Sequence, residues 1–259
     1  MDNVKAIVLR AAGINCDLET QNALEMAGAQ AERIHVNRII EDKSILDQYQ
    51  ILVIPGGFSY GDDVGAGKIL ANQIRHHIFE QVQKFIEQGK LVLGICNGFQ
   101  VLVKAGILPF ADESGQPVTV TYNDSNKFED RWVYLAPETD RCVFIEQGRR
   151  IYLPIAHGEG KVVTKDTQTL EKLQAGKLVA FKYVDENGSE GNYPVNPNGS
   201  VASIAGLTDT TGRVLGLMPH PERFVRLTQH PHWTRWESKN GGDGITIFIN
   251  AVSYVQKNL

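Results

Sequence analysis

The sequence has few cysteines, no excess of positive charge and no long apolar run, and each of these absences excludes a class of protein. Three cysteines in 259 residues are too few for a disulfide framework. The 26 Lys and Arg residues are outnumbered by 30 Asp and Glu residues, so we expect no dedicated nucleic-acid-binding face. No apolar run approaches the roughly 18 residues of a membrane-spanning helix, so no membrane partner is predicted either.

The N-terminal residues also lack the basic stretch and long apolar segment of a secretory signal. The composition, 42% hydrophobic and 22% charged, is that of a globular protein and not of a disordered chain. We therefore expect a cytoplasmic protein with reduced thiols. Since no linker is long enough to separate two folding units, residues 1–259 are predicted to form a single domain.

The first half of the chain alternates strand and helix patterns. Short apolar runs predict buried strands at 4–9, 51–54 and 91–93. Helices are predicted at 17–27, after residue 96, and at 68–88, where an apolar residue recurs every three or four positions: Leu70, Ile74, Ile78, Val82 and Phe85. This alternation predicts an α/β fold with a mostly parallel central sheet flanked by helices.

The second half is less regular. Strands are predicted at 132–135, 178–184, 201–204 and 214–218, a loop at 188–200, and a closing helix at 244–256. A short turn at 209–212 joins the last two strands. We therefore expect an additional antiparallel strand region in this half.

A cysteine lies where a predicted strand turns into a helix. The run Gly94-Ile95-Cys96-Asn97-Gly98 is the thiol version of a nucleophile elbow. Flanking glycines relieve crowding at the sharp turn, and the helix N-terminus favours a thiolate over a thiol. The alternative is a small buried core residue. The sequence predicts that Cys96 is a nucleophile.

A nucleophilic thiol requires a base, and the base requires an orienting group. His220 follows a strand and a proline, and Glu222 comes two residues later. In an extended segment, residues two apart point the same way, so Glu222 is predicted to orient His220 toward Cys96. His230 and His232 are predicted to lie in an exposed loop. Without Cys96, His220 would be interpreted as an ordinary loop histidine.

A second glycine-containing turn, Pro55-Gly56-Gly57-Phe58, also follows a strand. Acyl chemistry creates an oxyanion that needs N–H donors, and the N–H groups of Gly57 and Asn97 are the predicted donors. Gly56 and Phe58 are predicted to line the same substrate site. The alternative is a plain Pro-Gly turn. The glycine-rich segment 61–68 lacks the Lys-Ser/Thr ending of a phosphate-binding loop, so we interpret it as lining for substrate.

These three signatures resemble those of class I (triad) glutamine amidotransferases, which have a flavodoxin-like fold. The finer resemblance is to the branch that forms the glutaminase component of phosphoribosylformylglycinamidine synthase in de novo purine synthesis. It rests on Phe58-Ser59-Tyr60-Gly61-Asp62 and His157-Gly158-Glu159-Gly160, and on the segments 10–17, 128–132, 196–200 and 218–223.

The resemblance implies that Cys96 attacks the side-chain amide carbon of glutamine, that His220 moves the protons and that Glu222 orients it. It implies no cofactor or metal in this chain. The ammonia would pass to a large synthase subunit that uses ATP and Mg²⁺ to make formylglycinamidine ribonucleotide, assisted by a small accessory subunit. The length of the chain resembles that of the separate glutaminase subunits.

Three alternatives remain at this point. One is a non-catalytic regulatory subunit of the same fold. Another is a stand-alone cysteine hydrolase. The last is a metal hydrolase that uses His220, His230, His232 and Asp243, since His and carboxylate groups bind zinc.

Cys16 and Cys142 are predicted to be packed thiols. His157 and Glu159 are predicted to line the active-site mouth or a partner-facing surface. Additional length, compared with the shortest related glutaminases, is predicted near 112–130 or 229–244.

Overall fold

A computed structural model describes residues 3–110, 115–235 and 241–259 of the chain. Its strands are β1 (Lys5–Arg10), β2 (Gln30–His35), β3 (Ile51–Ile54), β4 (Leu91–Ile95), β5 (Val118–Tyr122), β6 (Glu129–Pro137), β7 (Ile151–His157), β8 (Glu159–Thr164), β9 (Val179–Val184), β10 (Ile204–Thr208) and β11 (Val214–Leu217). Its α-helices are α1 (Asp17–Met26), α2 (Val36–Glu41), α3 (Lys68–Gln73), α4 (Phe79–Glu87), α5 (Asn97–Ala105), α6 (Thr167–Ala175) and α7 (Ile245–Asn258).

Nine of these strands form one sheet in the order β2-β1-β3-β4-β11-β10-β9-β6-β7. The strands from β2 to β11 pair in parallel, whereas β10, β9, β6 and β7 continue the sheet by antiparallel pairing. β5 and β8 form a separate antiparallel pair. This confirms the predicted fold class, a mostly parallel sheet extended by an antiparallel region.

The parallel strands match the sequence prediction because they are buried on both faces. Every residue of β3, β4 and β11 is buried, so these strands are continuous apolar runs. The antiparallel strands behave differently, since in β7 buried and partly exposed residues alternate. The parallel edge strand β2 is an exception, because its charged residues interrupt the apolar run, as those of β8 do. The elements that were not predicted are β2, β5, β7, β8, α2 and α6.

Two predicted elements differ in detail. The strand expected at 201–204 begins only at Ile204, because Val201–Ser203 form a short 3-10 helix in which Ala202 has φ 47°. The helix expected at 68–88 is divided into α3 and α4 by a π-helical turn, Ile74–Ile78, and Ile78 has non-helical backbone angles of φ −134° and ψ 13°. All five residues of its predicted apolar stripe are buried.

The parallel arrangement determines where polar side chains can gather. β3, β4 and β11 are neighbours, and their carboxyl ends lie at one edge of the sheet. The segments that follow them contain Gly56 and Gly57, Cys96, and His220, respectively. Of the two segments predicted to carry additional length, residues 112–114 and 236–240 lie outside the described residues. None of the described helices is long and apolar enough to cross a membrane.

Candidate active site

Cys96 occupies the sharp turn between β4 and α5. Its backbone has φ 50° and ψ −104°, a conformation that L-residues rarely adopt, and its N–H donates to the carbonyl of Leu217 at 2.8 Å. The glycine after it is required by close packing, since a Cβ at Gly98 would lie 1.8 Å from the carbonyl oxygen of Ile54. The elbow predicted from sequence is therefore present, with the thiol only 5% exposed.

His220 and Glu222 form a buried pair beyond the end of β11. The Nδ1 atom of His220 lies 2.6 Å from Oε1 of Glu222, and both side chains are almost completely buried. The geometric reason differs from the prediction, because Pro221–Arg223 form a 3-10 turn and not an extended segment. The turn brings the carboxylate back to the ring, whose backbone N–H is held by the carbonyl of Pro154.

The pair has a clear electrostatic consequence. Burial alone lowers the pKa of His220, but the Glu222 carboxylate and the neighbouring Cys96 outweigh burial and raise this pKa well above its usual value. The imidazolium form is thereby favoured. Nε2 of His220 makes no well-aligned hydrogen bond among the described residues, although the thiols of Cys16 and Cys96 are close enough to contribute to the raised pKa of His220. Sγ of Cys96 lies 3.9 Å from the carbonyl of Ala156.

The predicted oxyanion donors lie at the ends of β3 and β4. Gly57 has φ 138°, and its backbone passes so close to residues 14 and 15 that a Cβ would lie 2.7 Å from the amide nitrogen of Asn15. The N–H groups of Gly57 and Asn97 make no backbone hydrogen bond within the described part of the chain. Both therefore remain available to a ligand. Phe58 is 45% exposed beside them.

The absence of a side chain at Gly56 leaves room for the ring of His220, which the sequence did not predict. A Cβ at this position would lie 2.7 Å from Cε1 of His220 and 3.2 Å from Sγ of Cys16. The imidazole therefore packs directly against the backbone of the oxyanion turn. Cys16, predicted to be only a packed thiol, lies in the same cluster, and no spacing in the sequence connects residue 16 with residue 220.

The side chain of Asn97 ties the nucleophile helix to the glycine-rich loop. Its Oδ1 accepts a 2.6 Å hydrogen bond from the hydroxyl of Ser59, and its Nδ2 donates to Asp62 at 2.9 Å and to Gln100 at 3.1 Å. Burial raises the pKa of Asp62. The loop is thus fastened to the residue whose N–H is a predicted oxyanion donor.

Glu159 fastens the other end of this loop. Its carboxylate accepts a 3.3 Å hydrogen bond from the N–H of Ala66, and Nζ of Lys104 lies 3.9 Å away. Its carbonyl accepts from the side-chain amide of Gln100. Glu159 therefore joins the β7–β8 turn, the loop and α5 at the rim of the site.

His157 is a buried neutral imidazole near this rim. Its Nδ1 lies 3.1 Å from Oδ1 of Asn123, and a Cβ on Gly160 would overlap the ring. Burial, with a smaller contribution from the positive charge of His220, lowers the pKa of His157 to about 3. A group that is neutral across the physiological range and tightly enclosed is a poor second base.

The residues of the metal-hydrolase alternative do not gather at His220. His230 is buried, contrary to the predicted exposed loop, and its ring packs 4.4 Å from that of Trp132. Asp243 instead accepts hydrogen bonds from Tyr152 and Arg149. Within the described residues, the group of potential metal ligands is Cys16, His220 and Glu222, whose ligand atoms lie within 4.8 Å of one another.

These three residues could bind a metal ion only after a rearrangement of their side chains. Ligand atoms around tetrahedral zinc are separated by about 3.3 Å, given bond lengths of about 2 Å. The 2.6 Å contact between His220 and Glu222 is a hydrogen bond and would have to open. The arrangement is better suited to proton transfer than to metal binding.

Thiol-dependent acyl transfer requires a thiol, a base with an orienting group and N–H donors. The edge of this flavodoxin-like sheet carries a thiol on a strand-to-helix elbow, a buried imidazole–carboxylate pair and two backbone N–H groups without a backbone partner among the described residues. A sequence model of the CobB/CobQ-like glutamine amidotransferase domain matches residues 3–255. The chain belongs to this glutamine amidotransferase family, as its resemblance predicted.

Individual relatives agree with this assignment. The chain is 47% identical to phosphoribosylformylglycinamidine synthase subunit PurQ of Dehalococcoides mccartyi, covering 99% of this chain and 100% of that protein. It is 40% identical to the PurQ subunit of Pyrococcus horikoshii, covering 98% and 100%. Among solved structures, a chain in the structure of PurLQS from Thermotoga maritima matches with a TM-score of 0.74 and 33% identity, covering 98% and 100%.

The packing of Gly56 generates a first prediction. In Gly56→Ala the new methyl displaces the ring of His220, so we expect the kcat for glutamine hydrolysis to fall at least tenfold, about the effect of misplacing a catalytic group. Gly191→Ala is the control, because the atoms nearest to its new Cβ all belong to the side chain of Val195, at 3.3 Å or more. Equal kcat values for the two variants in a coupled glutamate assay would contradict this interpretation.

The buried neutral state of His157 generates a second prediction, about acid stability. The pKa of His157 is about 3 in the folded protein and 6.5 for an ordinary histidine, so only the unfolded chain binds a proton between these values. Protonation of His157 in the unfolded chain therefore lowers the free energy of unfolding as the pH falls below 6.5, by about 2 kcal/mol at pH 5.

Urea unfolding at pH 7 and pH 5 measures this loss. In His157→Gln the loss between the two pH values should be smaller by about 2 kcal/mol, whatever the variant's absolute stability. His76→Gln, on the exposed face of the long helix, should leave the loss unchanged. The idea fails if both variants lose as much stability as the wild-type protein.

Proposed function

We propose that this chain is the glutaminase subunit of phosphoribosylformylglycinamidine synthase. The single observation that carries the proposed chemistry is the convergence of the Cys96 elbow and the buried His220–Glu222 pair at one sheet edge. Full-length similarity to PurQ subunits at 40 to 47% identity supports the choice of this branch of the family. The whole of 1–259 is taken as one glutaminase domain.

The geometry suggests how the reaction proceeds. The Cys96 thiolate attacks the side-chain amide carbon of glutamine, and the carbonyl oxygen becomes an oxyanion that the N–H groups of Gly57 and Asn97 stabilise. The His220 imidazolium donates its proton to the departing nitrogen, and ammonia leaves as the C–N bond breaks. A thioester between Cys96 and the glutamyl group remains.

Hydrolysis of the thioester reverses these roles. His220, now neutral, takes a proton from water as the water attacks the thioester carbon, and the same two N–H groups stabilise the second oxyanion. Collapse releases glutamate and returns Cys96 as the leaving thiolate. Glu222 remains bonded to Nδ1 throughout and stabilises the imidazolium whenever it forms.

The ammonia is the product that matters to the proposed assembly. We infer that it passes to a large synthase subunit, which uses ATP and Mg²⁺ to convert formylglycinamide ribonucleotide into formylglycinamidine ribonucleotide, with a small accessory subunit also present. The neighbour in the PurLQS structure supports such an assembly. This chain itself is proposed to need no cofactor. Gly56 and Phe58 would line the site around glutamine.

The test of the nucleophile separates glutamine chemistry from the synthase reaction. Cys96→Ala in the assembled complex should abolish glutamine-dependent synthesis, because no thioester can form. Synthesis from ammonium salts should survive, since it bypasses Cys96. Product formation from each nitrogen source is measured with Cys142→Ala as the control. Retained glutamine use would disprove the assignment of Cys96, and it would favour a regulatory subunit.

The dependence on a partner distinguishes a subunit from a stand-alone hydrolase. We expect the kcat of glutamine hydrolysis by the isolated chain to be at least tenfold below that of the assembled complex. The reason is that Nε2 of His220 makes no well-aligned hydrogen bond to Cys96 among the described residues, and alignment of these groups is worth at least that factor. Equal rates for the isolated and assembled protein would support the stand-alone hydrolase.

A further inference from the structure

Cys16 is a buried thiol that the proposed mechanism does not use, yet it contacts the catalytic pair. Its backbone is fixed on both sides: its N–H donates to the carbonyl of Gly56 at 3.3 Å, and its carbonyl accepts from the N–H and hydroxyl of Thr20 at 3.1 and 2.6 Å. The side chain is 1% exposed. The thiol therefore cannot turn away from its neighbours.

The sulfur is engaged as both donor and acceptor. The thiol donates toward Oδ1 of Asn15 at 3.3 Å, while Nη2 of Arg223 donates to Sγ at 3.1 Å. The same guanidinium donates from Nε to Oε1 of Glu19 at 2.8 Å. Cys16 and Glu19, at the beginning of α1, thus hold the two edges of the Arg223 guanidinium.

The position of this guanidinium matters because Arg223 follows Glu222 directly. The two charges are close enough to interact, and Oε2 of Glu222 is buried without a hydrogen-bond partner among the described residues. An arginine fork readily engages both oxygens of a carboxylate. A guanidinium on Oε2 would compete with His220 for the negative charge of Glu222.

We propose that Cys16 is a positioning residue, which together with Glu19 holds Arg223 beside the catalytic pair and off Glu222. The carboxylate of Glu222 then stays committed to Nδ1 of His220, and His220 stays charged opposite Cys96. The inference rests on the proposed roles of Cys96, His220 and Glu222. The position of Arg223 therefore depends on the thiol of Cys16.

The experiment compares two buried cysteines. Cys16→Ala removes the acceptor for Arg223, whereas Cys142→Ala removes a thiol of similar burial whose neighbours are Phe144 and Thr208. Two kinds of measurement give three quantities in the full-length chain. One is kcat and KM for glutamine. The other is the pH dependence of iodoacetamide alkylation at Cys96, followed by peptide mass spectrometry.

In Cys16→Ala, Arg223 is free to reach Glu222, so the imidazolium is less stabilised and Cys96 is less often a thiolate. We expect the midpoint of the alkylation profile to move up by about one pH unit, with kcat about tenfold lower and KM within about twofold. Cys142→Ala should match the wild-type protein in all three. A loss of packing alone would lower kcat without moving the midpoint.

Two further variants keep the proposal falsifiable if Cys16→Ala folds poorly. Cys16→Ser retains an acceptor for Arg223. Its kcat should stay within about threefold of the wild-type value, and its alkylation midpoint should move by less than about one pH unit. Adding Arg223→Gln to Cys16→Ala removes the competing charge, so the midpoint should return to that of Arg223→Gln alone.

An unchanged midpoint in Cys16→Ala, or an equal shift with and without Arg223, would overturn the proposal. So would a Cys16→Ser variant as impaired as Cys16→Ala. These outcomes are separate from failure of the proposed function, which the Cys96→Ala variant tests. If Cys96 proves essential and Cys16→Ala behaves as Cys142→Ala does, only the role of Cys16 is wrong.

Discussion

The site depends on one short contact, the 2.6 Å hydrogen bond between His220 and Glu222 in an environment closed to water. Removing a carboxylate from water is costly unless a partner compensates it. The Glu222 side chain is fully buried and has one oxygen engaged by the ring. The carboxylate therefore favours the imidazolium form of His220, and three nearby groups surround the ring: the backbone at Gly56, the carbonyl of Pro154 and the thiol of Cys96.

The sheet makes this contact possible. Because β3, β4 and β11 are adjacent and parallel, three loops distant in sequence meet at one edge. The close approach of α5 to the end of β3, which leaves no room for a Cβ at Gly98, sets the angle at which the Cys96 elbow leaves the sheet. Packing between helix and strand thus determines the direction in which the thiol points.

Much of this could be predicted from the sequence, and the limits are physical. Buried parallel strands are apolar on both faces, and glycines mark sharp turns, so the strands at 51–54 and 91–93 and the segments holding Gly57 and Cys96 are visible as patterns. Strands with one exposed face, such as β2, include charged residues and therefore lack a continuous apolar run. The Glu222 contact was expected for the wrong geometric reason, since a 3-10 turn and an extended segment can both bring residues two apart together. The roles of these residues in catalysis stay predictions.

No sequence pattern predicts the contacts between segments that are distant in the chain. Nothing in the spacing connects Cys16 with His220, or Glu159 with Ala66, because these pairs meet only when the sheet has formed. The burial of His230 among aromatic rings was missed for the same reason, since Trp132, whose ring packs against it, is distant in the sequence.

One feature of the site limits how kinetic data on it can be interpreted. The backbone N–H of Asn97 is a predicted oxyanion donor, while its side chain binds Ser59, Asp62 and Gln100. Replacement of Asn97 by alanine keeps the N–H but removes the side-chain hydrogen bonds to the loop. A change in rate at this position therefore reports the mechanical coupling between loop and helix, and it does not measure the strength of the oxyanion contact. That strength has to be obtained by altering the backbone amide itself.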